Sequence, residues 1–228
     1  MARGLFRDDF IYGGAAFGTS ASSSTPWRAT ETGSSTVWTA GIDNGSSGDA
    51  AGIARIGLEA TNEVQNVCLS FGDVLQFNIA SNLIWKGRFR LGQSALDTTT
   101  SVCFGLAGDR NDTINSIAIR AMFKLVGSVS TTIVYCVTDD GTTDSGDIST
   151  GVALTTGWKD FEIRMPSSSV ITFHMTDTNN RLARVVPGTS FSMAAYAGSL
   201  QPYMQIQKTA DTNADYLDSD FVELTWDR

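Results

Sequence analysis

The chain of 228 residues carries 24 acidic against 16 basic side chains, a formal charge of −8 and a pI near 4.5. That balance disfavours long-range attraction to nucleic acid or anionic membranes, so neither is an expected partner, and no apolar run approaches the roughly 18 residues of a membrane-spanning helix. With 42% hydrophobic residues, a chain of this length buries roughly 70% of its unfolded surface in one core, so no disulfide or metal staple is required.

Residues 1–50 differ in composition from the rest of the chain. They hold Gly13-Gly14, Ser22-Ser23-Ser24, Gly33-Ser34-Ser35 and Gly45-Ser46-Ser47-Gly48 with few β-branched runs, a composition that does not order itself as an independent domain. Yet Phe6, Phe10, Ile11, Tyr12, Phe17, Trp27 and Trp38 are scattered through it. One expectation is an extended arm that orders against a partner, with Phe6, Phe10, Ile11 and Tyr12 as anchors and Arg3 and Arg7 pairing acidic neighbours at the rim. The other is that this stretch lies over its own sandwich or forms its first strand. The start, Met1 to Asp9, lacks the apolar core of a signal peptide, which predicts synthesis and assembly in a reducing cytoplasm.

From residue 51 onward strand follows strand. Candidates are 52–60, 64–70, 73–79, 83–91, 100–107, 116–126, 131–138, 158–165, 169–176, 181–186, 190–197, 202–209 and 219–227, separated by turn residues every 8 to 12 positions. The division expected is therefore an arm and lead-in over 1–50 and an antiparallel β-sandwich over 51–228. Alternation assigns faces. Trp85, Gly87, Phe89 and Leu91 share one face of their strand, leaving Lys86, Arg88 and Arg90 as a cation stripe on the other. Phe161, Ile163 and Met165, then Ile171, Phe173 and Met175, then Val222, Leu224 and Trp226 are further core stripes. Runs 100–107 and 131–138 are apolar on both faces, which suits strands covered on both sides or a subunit interface. Cys68, Cys103 and Cys136 each lie in such apolar runs, without a metal-type spacing, and read as small buried residues.

Three polar features invite function. The loop Asp139-Asp140-Gly141-Thr142-Thr143-Asp144-Ser145-Gly146-Asp147 clusters four carboxylates, oxygen ligands of the kind calcium takes, although Asp and Gly also satisfy plain turn geometry. Asp109, Asn111 and Asp112 form a second, smaller group. The Lys86, Arg88, Arg90 stripe invites an acidic partner surface, unless the long stems simply cover apolar neighbours. Trp158 and Tyr203 fall off the apolar phase of their strands and suit sugar stacking, while aromatics at sheet rims also close cores.

The run Trp158–Met165, the run Ser169–Thr176, the turn Asp177-Thr178-Asn179-Asn180, the run Pro202–Lys208 and the closing Asp220-Phe221-Val222-Glu223-Leu224-Thr225-Trp226 resemble the back half of concanavalin-like (laminarinase-like) jelly rolls. The resemblance spans roughly residues 64–228. It implies an all-β antiparallel sandwich, here with an extended N-terminal arm, on a fold shared by glycosidases, lectins and virion coat proteins. A chain of this composition is most similar to the capsid decoration (cement) modules of tailed bacteriophages. That implies a homo-oligomer, a trimer foremost, which binds the major capsid protein on the virion exterior and bridges capsomers by avidity. The alternative implied is a receptor- or glycan-binding module of a tail fibre or tailspike. Such folds often carry calcium; otherwise no cofactor is expected.

Catalysis has little to work with. Glycan-cleaving members carry Glu-x-Asp-x-x-Glu, which sets nucleophile and acid about 5–5.5 Å apart for retention. None of the five glutamates, Glu31, Glu59, Glu63, Glu162 and Glu223, makes that pattern, and the nearest imitation is Asp160 with Glu162. The single histidine, His174, sits mid-strand with no glycine-framed nucleophile near it. A non-enzymatic protein is the expectation.

Overall fold

The computed structural model describes residues 2–10, 25–33, 41–43 and 52–228. In chain order the strands are β1 (Arg3–Asp8), β2 (Arg28–Thr32), β3 (Gly41–Asp43), β4 (Ile53–Gly57), β5 (Glu63–Ser70), β6 (Phe77–Asn78), β7 (Leu83–Leu91), β8 (Thr100–Ala107), β9 (Ile119–Val126), β10 (Ile133–Asp140), β11 (Ile148–Ala153), β12 (Lys159–Ser167), β13 (Val170–Thr176), β14 (Leu182–Arg184), β15 (Ser199–Asp211) and β16 (Tyr216–Asp227). One 3₁₀ turn, Ile114–Ser116, is the only helical element among the described residues. The strands form two antiparallel sheets. The first runs β14-β13-β12-β7-β16-β4-β3, and the second β11-β10-β9-β8-β15-β5-β2. The fold is thus the all-β sandwich that the alternation predicts.

The two longest strands organise both sheets. One edge of β16 is shared, with Tyr216–Ser219 pairing β4 and Val222–Asp227 pairing β1, while its other edge pairs β7. Similarly β15 divides one edge between β6 and β5 and gives the other to β8. A bulge between Ser219 and Phe221 shifts the register against β7. The extra residue resets the alternation, so that Leu217 and Ser219 are buried before the bulge and Val222 and Leu224 after it.

The core is closed by an aromatic ladder that joins the sheets. Phe89 stacks on Phe104 at 4.2 Å, and Phe161 meets Phe104 and Phe123 edge-on at 4.8 and 4.9 Å. Phe173 continues it to Phe191 at 4.8 Å. Such pairs contribute about 0.5–1.5 kcal/mol each beyond the area they bury. The predicted stripes of Trp85, Phe89 and Leu91, of Phe161, Ile163 and Met165, and of Ile171, Phe173 and Met175 all face this layer and are buried. Run 100–107 is covered on both faces, as expected. On the outer side of the second sheet Cys68, Cys103, Ala107, Met122, Val137 and Tyr203 pack against Ile114 and Ile117 of the 109–118 loop. The three cysteines are buried free thiols, and desolvation pushes Cys68 up to about 12.

The described parts of the first fifty residues correct the arm-plus-sandwich division. β1 pairs along β16 from Arg3↔Asp227 to Asp8↔Val222, and β2 pairs β5. Phe10 and Trp27 are fully buried, and Phe6 packs against the same core. Phe6, Phe10, Trp27, Phe71, Phe77 and Trp226 make one aromatic cluster that plugs that end of the sandwich. Large apolar rings that can reach their own sheets bury there without any partner. Ile11 and Tyr12, also expected as anchors, lie outside the described residues, as do Phe17 and Trp38.

Two predicted strands shrink. Of 73–79 only Phe77–Asn78 pairs, because Gly72 and Asp73 turn the chain with positive φ. The 190–197 segment keeps a single bridge, Ile171↔Phe191, and otherwise descends irregularly to bury Met193.

Candidate functional site

The cation stripe on β7 does face outward, but the neighbouring strands answer it with acids. Glu223 lies 3.1 Å from Lys86, Asp220 3.4 Å and Asp160 3.6 Å from Arg88, and Asp218 3.0 Å from Arg90. Asp218, fully buried, also accepts a two-pronged grip from Arg55 at 2.6 and 2.9 Å. Glu223 accepts from Arg7 as well, Asp9 takes that guanidinium's other side, and Arg3 pairs Asp227. The stripe is therefore part of a charge lattice internal to the chain, and the reading of Lys86, Arg88 and Arg90 as unanswered cations for an acidic partner is corrected. The physical cause is register: antiparallel pairing of β7 with β12 and β16 sets Lys86 and Arg90 directly across from Glu223 and Asp218.

The acidic loop is likewise occupied by its own chain. Arg120 lies 3.2 Å from Asp139 and 2.7 Å from Asp144, and Lys124 2.7 Å from Asp147. Asp140 accepts N–H groups of Thr142, Thr143 and Ala195, led by that of Thr143, which hold its carboxyl below the usual range. Among the described residues no three carboxylate, imidazole or thiol groups converge as a metal site. Asp139, Asp140, Asp144 and Asp147 thus engage two nearly buried cations and a turn, as in the plain-turn alternative to calcium ligation. In the smaller group Asp112 pairs Arg110, and Asn111 caps the Thr113 N–H.

Of the two aromatic platforms, Tyr203 is buried at 1% exposure under the 109–118 loop, its hydroxyl donating to Gln205 Oε1 at 2.5 Å. Asn66 and Gln205 both donate to the Asp112 carbonyl, which holds the loop down. Tyr203 is therefore a core residue, since the second sheet has an apolar layer on each face. Trp158 is half-buried, just ahead of β12, and the Arg90 guanidinium covers its ring at 4.5 Å. The Arg88 guanidinium lies near the same ring at 6.0 Å. His174 stands opposite Glu162 across β12 and β13 with Thr172 Oγ1 at 3.1 Å from Nε2. Burial, then the Arg164 charge, lowers its pKa.

The structure brings together a different set. Loop 92–99, which joins β7 to β8, and loop 212–215, which joins β15 to β16, wall an open cleft of about 270 Å³ lined by Gln93, Ala95, Leu96, Asp97, Asn213, Ala214 and Asp215. The loops meet because β7 and β16 are neighbours: Leu217 pairs Leu91, and Gly92 N–H donates to the Tyr216 carbonyl. Asp97 N–H donates to Asp215 Oδ2 at 3.0 Å across the cleft. The Asp97 carboxylate accepts from Thr99 N–H at 2.9 Å and Thr99 Oγ1–H at 2.8 Å, which hold it ionised below the usual range, with Asn213 contributing. Gln93 Oε1 takes the Tyr216 N–H, and its shielded Nε2 has no acceptor among the described residues. The cleft thus offers the ionised Asp97, the exposed Asn213 side chain, whose amide also donates to Asp211 at 2.6 Å, and an apolar patch from the half-buried Ala95 and Ala214 above the buried Leu96.

Behind its 212–215 wall lies Lys208, 2% exposed. Its ammonium donates to four main-chain carbonyls, Glu59 at 2.5, Asp211 at 2.7, and Thr61 and Asn213 at 3.0 Å. Sequence reasoning missed this set. Its polar residues, Gly92–Asp97 and Asp211–Asp215, read as ordinary turns, and only the pairing of strands more than 120 positions apart brings them face to face.

No family model matches the chain, and no curated protein matches it. Solved structures do. The Emp47p carbohydrate recognition domain matches at TM-score 0.59 with 10% identity, covering 97% of this chain and 94% of that one. The VIP36 exoplasmic/lumenal domain in its Ca²⁺/Man-bound form matches at 0.59 with 9% identity over 96% and 88%. The Lotus tetragonolobus seed lectin matches at 0.57 with 11% identity over 97% of both. At these identities the likeness establishes the fold, which is the concanavalin-like jelly roll of lectins.

Proposed function

We propose that the chain is a non-catalytic glycan-binding module that takes a sugar in the cleft between loops 92–99 and 212–215. The observation that carries the reading is the cleft's polar set: the ionised Asp97, an acceptor, and the exposed Asn213 side chain stand beside the apolar patch of Ala95 and Ala214. A pyranose presents adjacent hydroxyls that both donate and accept, beside an apolar C–H face. A carboxylate next to an amide answers two neighbouring hydroxyls, and the two alanine side chains cover the face. The carbohydrate recognition domain and seed lectin among the structural neighbours lend support to a sugar over other polar ligands. The absence of a carboxylate pair at glycosidase spacing in the sequence supports binding over cleavage.

Attachment to a protein shell as a decoration module is the reading we set aside. Its apolar anchors Phe6 and Phe10 are in this chain's own core, and Arg3, Arg7, Lys86, Arg88 and Arg90 each face an acid of the same chain.

The test is a glycan array followed by calorimetry on the selected sugar. Ala214→Arg fills the cleft while leaving every described hydrogen bond in place. It should weaken binding at least tenfold with an unchanged melting temperature. Binding that survives the arginine would move the sugar elsewhere.

A further inference from the structure

We propose that Lys208 is a tethered monovalent cation, an ammonium held in a carbonyl cage that fixes the outer wall of the cleft where a free ion would otherwise be needed. The inference rests on the cleft reading only for its functional consequence; the cage itself stands on geometry. Four main-chain carbonyls converge on Nζ at 2.5–3.0 Å, two from the β4–β5 loop, one from the last residue of β15 and one from the turn after it. These are separations of charge-assisted hydrogen bonds, and an ammonium has only three protons to share among the four oxygens. Carbonyl oxygens around a desolvated single charge form the coordination shell of an alkali cation, built here around a side chain. Burial lowers the Lys208 pKa, and the carboxylates of Asp211, Glu63, Asp215 and Glu59 around it oppose that shift by favouring the charge.

The placement has a consequence for the site. The Asn213 carbonyl is bound by Nζ while the Asn213 side chain lines the cleft, and Asp215 follows two residues on. The β15 strand is irregular at this point, its register against β5 shifting between Lys208 and Asp211, and its pairing ends with Asp211 against Glu63, so backbone pairing alone does not fix residues 212–213. The ammonium does, by tying them to residues 59 and 61 across the sheet. Lysine suits the task because its charge is compact and its stem reaches under the strand. Lys208 is thus a positioning residue, and the cleft keeps its shape without any ion from solution.

Two substitutions separate a cation from a mere packing element. Lys208→Met keeps the apolar stem and removes the charge, leaving carbonyls turned toward one another. It should lower the melting temperature by about 6 °C or more in every salt. Lys208→Ala empties the cage, and ions matching ammonium in size should refill it. At constant ionic strength its melting temperature should rise in potassium or ammonium chloride above that in lithium chloride, while the wild type melts alike in all. A Lys208→Ala protein that melts identically in all the salts would overturn the proposal, as would a Lys208→Met protein as stable as wild type. Should Lys208→Ala fail to fold, the wild type decides: its Lys208 ammonium protons should exchange slowly enough to give a separate nitrogen-correlated NMR resonance, and exchange as fast as a surface lysine would overturn the cage. Sugar affinity measured on the same proteins keeps the readings apart. Ion rescue without sugar binding in the wild type would sustain the cage and remove the glycan site.

Discussion

At Asp8 one carboxylate with 4% exposure accepts the Phe10 N–H at 2.8 Å on one oxygen and the Trp27 indole N–H at 2.8 Å on the other. It thereby seats two buried aromatic rings that composition alone scatters through a Gly/Ser-rich stretch. Asp8→Ala leaves both donors buried without that acceptor and should cost about 2–4 kcal/mol, measured as a shift of the urea midpoint at constant slope; a change under about 0.5 kcal/mol would deny Asp8 this role. Residue identities made the inward stripes legible, because alternation at Trp85, Phe89 and Leu91 or at Phe161, Ile163 and Met165 has one reading when a single face is apolar. The same alternation placed Lys86, Arg88 and Arg90 outward but said nothing of Glu223 and Asp218 opposite them. Cross-strand partners are a matter of register, and register is not written locally. Tyr203 misled for a related reason: its off-phase position signals exposure only where the second face of a sheet is bare, and there the 109–118 loop covers it.

At the level of elements, β1 changes what a truncation does. Its six residues pair with the last strand, and Phe6 closes against Phe71 at 5.3 Å. Removing residues 2–10 deletes a strand and unplugs the aromatic cluster. The loss should be several kcal/mol, at the scale of about 3–5 kcal/mol for the buried Phe10 with a smaller share from the partly buried Phe6, and should appear as a collapsed melting temperature or an insoluble product. A truncated protein melting within about 2 °C of the full chain would show β1 to be dispensable. Strands with strong β-branched or aromatic alternation, such as β7 and β8, were readable to the residue. β11 was not, because Ser149, Thr150 and Gly151 dilute its pattern and Gly151 takes positive φ. β2 was hidden for the same reason, in the charged, Thr-rich run Arg28–Thr32.

For the molecule as a whole, titration and ion dependence follow from the groups in place. Asp97 and Asp140 have carboxyls held below their ordinary value by N–H donors, and His174 is lowered by burial. In each case the unfolded chain binds the proton more readily, so stability rises with pH across the interval between folded and unfolded values. Going down in pH, His174 begins to cost stability below about 6.5 and the two carboxylates below about 3.8. The melting temperature should be level from pH 8 to 7, dip slightly through 6 and fall steeply under 4. A maximum on the acid side would contradict this. A chelator should leave both the melting temperature and sugar affinity unchanged, since Arg120 and Lys124 occupy the carboxylates of the acidic loop and Lys208 the carbonyl cage; a drop of several degrees would return that loop to the metal sites. The sandwich and its core were legible because they rest on period-two alternation. The cleft was not, because it exists only where two turns distant in sequence are brought together by the pairing of β7 with β16.

The measurement that bears most directly on the central claim is an amide NMR titration of the full chain with the sugar that the array selects. The cleft reading predicts that the largest shifts fall on Gln93, Asp97, Asn213 and Ala214, with saturation at one equivalent. Shifts centred instead on the β7 and β12 face around Trp158, or none at saturating sugar, would contradict it.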